Sequence, residues 1–422
     1  MWIKKISLFF VLVVLGSKVA YASTLKCDPR RFGAKGNGIS DDTRAIQAAI
    51  DKCTDTGVRT RGGVVFLRNG VFLSGTIRLK SGVEFRIEPN ATLKGLTADR
   101  SYPDLYPPAR NRELKDCRKA LIYAESVDGV KITGGGMIDG SGHHPAWVGP
   151  ERTRPMGIFV ATSRNVSINN IKLRDAGMWG VVTLESRSIR ISKIDIDSTI
   201  FPNRDGIDIV DSHHVVIEDS VVKSGDDAVC LKSGSGVGVY DVTVRNLRIA
   251  GTGSNALKLG TASSGFFKKI RFENIQIDRA DKAAIAFMSV DGGRIEGVHF
   301  RDIHFQNTGS ALFALLGRRL LSMRVGCIDD VTIENVFGST NQSWGSVISG
   351  TQGLFNEYKI GRIRLSNIHV KNGVPQKNFG YHPHEYWGQY PDPPMWGDLP
   401  TDSIYIRHAD QVEMRDVEFQ KP

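Results

Sequence analysis

The stretch Val166-Ser167-Ile168-Asn169-Asn170-Ile171-Lys172-Leu173 decides the fold, because its apolar side chains fall at relative positions 0, 2, 5 and 7. Each alternating pair puts its side chains on one face of a short strand, and the polar residues between the pairs form a bend. The spacing returns at Ile189, Ile191, Ile194 and Ile196, at Val242, Val244, Leu247 and Ile249, at Ile270, Phe272, Ile275 and Ile277, and at Val298, Phe300, Ile303 and Phe305. Later copies are Ile363, Leu365, Ile368 and Val370, then Val412, Met414, Val417 and Phe419. Val215 and Ile217 open a copy with Ser220 at its third site, and Val331 and Ile333 open one that reaches Val336 before losing its last apolar site. Starts at 166, 189, 215, 242, 270 and 298 are separated by 23, 26, 27, 28 and 28 residues, a sustained repeat.

Stacked copies would pair backbone groups between neighbouring coils and bury Ile, Val, Leu and Phe in one interior column. The expected fold class is therefore all-β: a right-handed parallel β-helix, its hand following the usual chirality of parallel connections. A leucine-rich horseshoe would need a leucine and asparagine pattern that these blocks do not keep, and a helical solenoid would need longer amphipathic runs. Upstream, Asp41-Asp42-Thr43 leads into Ala45-Ile46-Gln47-Ala48-Ala49-Ile50, which reads as a short helix capping the N-terminal end of the solenoid. Residues 373 to 400, rich in Pro, Gly and aromatics, read as a long loop returning to the last coil.

Farther out, Ile6 to Gly16 is apolar, follows Lys4 and Lys5, and precedes Ala20-Tyr21-Ala22. Eleven residues are short for a membrane span, and this order of regions is that of a secretory signal. The expected organisation is thus a signal peptide over 1–22 and one β-helix catalytic domain over 23–422, secreted or periplasmic, with no stable membrane insertion. Removing Lys4, Lys5 and Lys18 lowers the formal charge from +10 to +7, a balance that suits an acidic polymer. No basic run with interleaved aromatics appears, which argues against nucleic acid. The five cysteines are widely spaced, and Cys27 with Cys53 is one pairing open to an exported chain. His382, His384 and Glu385 stand together, but their proline and aromatic neighbours read as a loop or substrate rim rather than a metal site.

Chemistry concentrates in two adjacent coils. One carries Asn203-Arg204-Asp205-Gly206-Ile207-Asp208 and the next Gly225-Asp226-Asp227-Ala228-Val229-Cys230-Leu231. Aligning Ile207 with Val229 places Asp205 over Asp227, so a coil spacing of about 4.8 Å gathers three acids around one groove. Carboxylates held together raise one another's proton affinity, so one can donate a proton while another activates water. A turn-capping or calcium-binding cluster is the structural alternative for these acids. Trp179 stands 26 residues before Asp205, at the equivalent loop position, and is expected along the same groove, where an aromatic face can stack on a ligand. Trp147, Tyr386, Trp387, Tyr390 and Trp396 either extend that platform or cover the solenoid.

These residues resemble glycoside hydrolase family 28, the polygalacturonase and rhamnogalacturonan-hydrolase family of secreted, pectin-lyase-like β-helices. Asn203-Arg204-Asp205-Gly206 is similar to its Asn-Thr-Asp-Gly motif, and Gly225-Asp226-Asp227 matches its Gly-Asp-Asp motif. The resemblance extends from Phe32-Gly33-Ala34-Lys35-Gly36-Asn37-Gly38, through Gly134-Gly135-Gly136-Met137-Ile138-Asp139-Gly140, to Pro391-Asp392-Pro393-Pro394-Met395-Trp396-Gly397. It implies catalysis by Asp205, Asp226 and Asp227 without a cofactor or metal; substrate contacts are expected from Asn203, Arg204, Asp208, Trp179, Asn255 and Lys258, with Arg204 and Lys258 partly replacing charge the family pattern would supply. It has two departures. Gly253-Ser254-Asn255-Ala256 stands where the family has Gly-His-Gly, and Ala286-Phe287-Met288 stands where it has Arg-Ile-Lys. The expected function is an inverting hydrolase, monomeric, acting on a plant-cell-wall or related acidic polysaccharide, with a rhamnogalacturonan-type substrate favoured over homogalacturonan. A polysaccharide lyase and an inactive glycan-binding β-helix are the competing readings.

Overall fold

The computed structural model describes residues 25–54, 62–109, 111, 114–115, 117–200, 202–374 and 383–421. The expected signal peptide and His382 lie outside them. The apolar repeat becomes a vertical register. Val166 pairs with Ile189, Ile189 with Val215, Val215 with Val242, and Val242 with Ile270. The column continues through Val298, Val331 and Ile363 to Val412, every pairing parallel. Successive coils wind into a right-handed parallel β-helix, with 27 strands among the described residues joined in one hydrogen-bonded sheet.

The fifth position of each copy makes the bend. Asn170, Lys193, Asp219, Asn246, Asn274, Asp302, Asn335, Asn367 and Asp416 all have positive φ between 52° and 56°. Asn and Asp tolerate that conformation better than most side chains, which explains the polar residue at this site. Their amides also bridge coils: Asn246 Nδ2 donates to Asp219 Oδ1 at 2.9 Å, and Asn274 Nδ2 to Asn246 Oδ1 at 2.9 Å. Inside, Phe272 and Phe300 stack with centroids 4.8 Å apart, matching the spacing between hydrogen-bonded strands.

The helix spans Thr43–Thr54 and buries Ile46, Ala49, Ile50 and Cys53 over the N-terminal end. Asp41, rather than Asp42, takes the Thr43 amide, at 2.9 Å. Asp42 instead accepts from the amides of Lys35 and Gly36 at 2.6 and 2.9 Å, tying the preceding loop to the cap. Cys27 and Cys53 form a disulfide that fastens the helix to the first strand. No helix among the described residues is long and apolar enough to cross a membrane.

Candidate active site

The acidic coils are aligned by main-chain bonds. Ile207 pairs with Val229, Gly206 N donates to Asp227 O at 2.9 Å, and Gly180 N donates to Asp205 O at 2.8 Å. Trp179, Asp205 and Asp227 therefore occupy equivalent places in three successive coils. One oxygen each of Asp205 and Asp227, and the Cys230 thiol, lie within 4.8 Å of one another. Asp226 is half-buried, and its Oδ1 accepts from Asp227 N at 2.9 Å. Its carbonyl accepts from Ser224 Oγ at 2.6 Å and from Thr252 Oγ1, which fixes the turn.

Asp227 is the most heavily supported carboxylate. Asn255 donates to its Oδ1 from the backbone at 3.1 Å and from the side chain at 2.8 Å, while Lys258 Nζ reaches Oδ2 at 2.6 Å. Burial alone would raise its proton affinity, but the Lys258 and Lys232 charges outweigh burial and hold it well below the ordinary carboxylate range. Asp205 is affected in the opposite direction. Burial first, then the Asp208 charge, raises it well above the usual value, against the attraction of Lys232. Asp208 is pushed up to about 6, chiefly by burial and further by the Asp227 charge, against the pull of the same Lys232 amine. Lys232 Nζ lies 3.1 Å from Asp205 Oδ2 and also contacts Asp208 Oδ1. Asp208 Oδ2 is buried with no donor, an acceptor that a proton shared between the two acids would satisfy.

Lys232 is the residue that motif reading missed. It lies over the Trp179 ring at 4.3 Å from the centroid and completes a cluster of Trp179, Asp205, Lys232 and Asp208. Strand alternation carried a signal for it: Lys232 follows Cys230 by two positions in Val229–Ser233 and so faces the same side as the thiol beside the acids. Tyr390 and Asp392 come from the far end of the chain. Thr261 Oγ1 donates to Tyr390 OH at 2.8 Å, Lys258 Nζ is 3.3 Å from that hydroxyl, and Asp392 pairs with Lys282 at 2.8 Å.

Several expected contacts are placed differently. Arg204 is 1% exposed, and its guanidinium donates to the carbonyls of Gly177 and Gly142, the latter at 3.1 Å, so it braces loops instead of facing the groove. Burial lowers it to about 10, and the nearby Arg154 adds to the shift. Asp208 is fully buried under Lys232 and offers no surface to a ligand. Asn203 accepts from Arg154 Nη2 at 2.8 Å, and Arg154 also holds the Pro202 carbonyl. Lys258 and Asn255 are buried on Asp227, and Trp179 is largely covered by Lys232. Of the platform candidates, Trp147, Tyr386 and Trp396 are buried in packing, whereas Tyr390 is 51% exposed at the site. Glu385 is taken by His408 and the Gln352 amide, and His384 by Gln389. A cation at Asp205, Asp227 and Cys230 would have to displace the ammonium groups of Lys232 and Lys258 from those carboxylates.

Residues 65–379 match the family model described as glycosyl hydrolases family 28, and residues 30–99 match one described as rhamnogalacturonase A/epimerase, pectate lyase-like. A probable polygalacturonase of Arabidopsis thaliana is 25% identical over 328 residues, covering 69% of this chain and 66% of the relative. One of Vitis vinifera is 29% identical over 298 residues, covering 65% and 58%. The chain thus spans less than two thirds of the length of either relative. An exopolygalacturonase structure from Thermotoga maritima shares the fold, with a TM-score of 0.72 at 22% identity over 94% of this chain and 93% of the other. With the family model running through the acid-bearing coils and most of the solenoid, the chain belongs to glycosyl hydrolases family 28.

Proposed function

We propose that the protein is an exported, monomeric glycoside hydrolase, its β-helix a single catalytic unit, that cleaves an α-linkage of a pectic polysaccharide with inversion and prefers a rhamnogalacturonan-type backbone to homogalacturonan. One observation carries the reading: in a family 28 chain, Asp205 and Asp227 bring carboxylate oxygens within 4.8 Å on adjoining coils, beside the half-buried Asp226. Asp226 gives its proton to the glycosidic oxygen as the bond to the anomeric carbon breaks. A water held by Asp205 and Asp227 attacks that carbon from the opposite face. Asp227, kept ionised by Lys258, orients the water, and Asp205 accepts its proton while the proton shared with Asp208 sits on Asp208. The cycle closes when Asp205 releases that proton to solvent and Asp226 regains one.

The specificity rests on charge. Ala286 and Met288, at the family's cation positions, are buried under the return loop. Lys232, Lys258 and Lys282 each already face a carboxylate of the protein. Homogalacturonan brings a carboxylate on every ring, whereas a rhamnogalacturonan backbone alternates acidic with neutral rings and places fewer charges against Asp226 and Asp392. A product-resolved panel of homogalacturonan, rhamnogalacturonan backbones and short oligomers tests this, and exclusive cleavage of homogalacturonan would sink the preference. Proton NMR of the first-formed anomer tests the stereochemistry. An unsaturated, ultraviolet-absorbing product would mean elimination instead of hydrolysis.

A further inference from the structure

One outward-facing row runs along the solenoid through the acidic coils. Tyr123 pairs with Phe159, Phe159 with Val182, Val182 with Asp208, and Asp208 with Cys230. The row goes on through Lys258, Ala286 and Phe313 to Val347. Partners in a parallel register share a face, so this row lies beneath the groove along which a bound glycan would run. Every member of the row is buried, and the three central ones, Asp208, Cys230 and Lys258, belong to the coils where Asp226 is half-buried and Tyr390 is exposed. The members on either side are apolar but for the Tyr123 hydroxyl, and other segments of the chain cover them.

Different segments of chain cover the two ends. Toward the N-terminus, Leu105, Ala109, Leu114 and Cys117 join Tyr123, Phe159 and Val182 in one buried cluster. Toward the C-terminus, Tyr386, Trp396 and Leu399 of the return loop close over Ala286, Phe313 and Val347. That loop is firmly anchored. Arg407 donates to the carbonyls of Pro383 and His384 at 2.6 and 2.9 Å, and its guanidinium lies 4.7 Å from the centroid of the Trp396 ring. The same loop delivers Tyr390 and Asp392 to the edge of the polar coils.

We infer that the apolar loop packing on both sides of the polar coils leaves the groove around the acids as a pocket closed at both ends, so that the enzyme takes pectic chains by a terminus or as short oligosaccharides and does not cut within polymers. Three coils at about 4.8 Å each span roughly 14 Å, which limits the bound segment to a short oligosaccharide. The inference rests on the hydrolase reading given above and sets its mode of attack.

The test uses the whole protein with a cleavable pectic polymer, following viscosity and product sizes together, beside the same polymer with both termini chemically blocked. The expected result is a single small product from the first time points, little loss of viscosity, and at least a tenfold lower rate on the blocked polymer. Rapid viscosity loss with a ladder of oligomers, or equal rates on blocked and free chains, would overturn the pocket while leaving hydrolysis intact. No new reducing ends from any polymer or oligomer would instead remove the hydrolase reading and the pocket's catalytic role with it.

Discussion

At the residue scale, the three acids differ in their surroundings, and the proposed mechanism gives each a different task. Asp205→Asn, Asp226→Asn and Asp227→Asn should each lower turnover by about 10²- to 10⁴-fold with unfolding transitions near that of the parent, checked by rate and denaturation measured together. Near-normal turnover in any one would remove it from the mechanism. Asp208 makes a separate prediction about pH. Its folded value of about 6 lies above the unfolded value of about 3.9, so its stabilising contribution is complete below pH 4 and is lost as pH rises through 6. Between those limits the parent should lose on the order of 2–3 kcal/mol relative to Asp208→Asn, read from urea unfolding at several pH values. Parallel stability curves for the two proteins would refute it. The acids themselves were legible in sequence because each lies in a short contiguous motif. The burial of Arg204 was not legible because adjacency to Asp205 says nothing about which way a long side chain turns. Lys232 was missed because its partners, Asp205 and Asp208, lie 27 and 24 residues upstream, a coil away in space.

At the element scale, the strands were the most legible part because one spacing had to serve every coil, and even the imperfect copies at Val215 and Val331 fall into register. The return loop was legible only as a loop. Its packing over Ala286 and Phe313 depends on contacts with distant strands that no local pattern encodes. The cap helix was legible from its apolar spacing, and the disulfide beneath it was one open pairing until the helix set the distance. The Cys27–Cys53 bridge closes a separation of 26 residues, so Cys53→Ala should cost about 3–4 kcal/mol by the chain-entropy account. Reductant should bring the parent's unfolding midpoint down to that of the variant while leaving turnover largely intact, since the cap lies several coils from the acids. Equal loss of activity and stability would instead tie the cap to the site.

At the scale of the whole molecule, the interior column and the acid-bearing face belong to the same coils but answer to different forces. Ile217, fully buried between Ile191 and Val244, lies in the column and not on the face that carries the acids. Ile217→Ala should cost about 2–5 kcal/mol, seen as a lower melting temperature, with kcat close to the parent's at temperatures where both are folded. A large fall in kcat there would show that the column steers the acids directly. The expected separation follows from the bonds linking Gly206 to Asp227 and Gly180 to Asp205. Those bonds make the solenoid a ruler: the offset between one acid and the next is a graduation fixed by peptide geometry, which side-chain drift in the interior can blur only after the graduations themselves come apart.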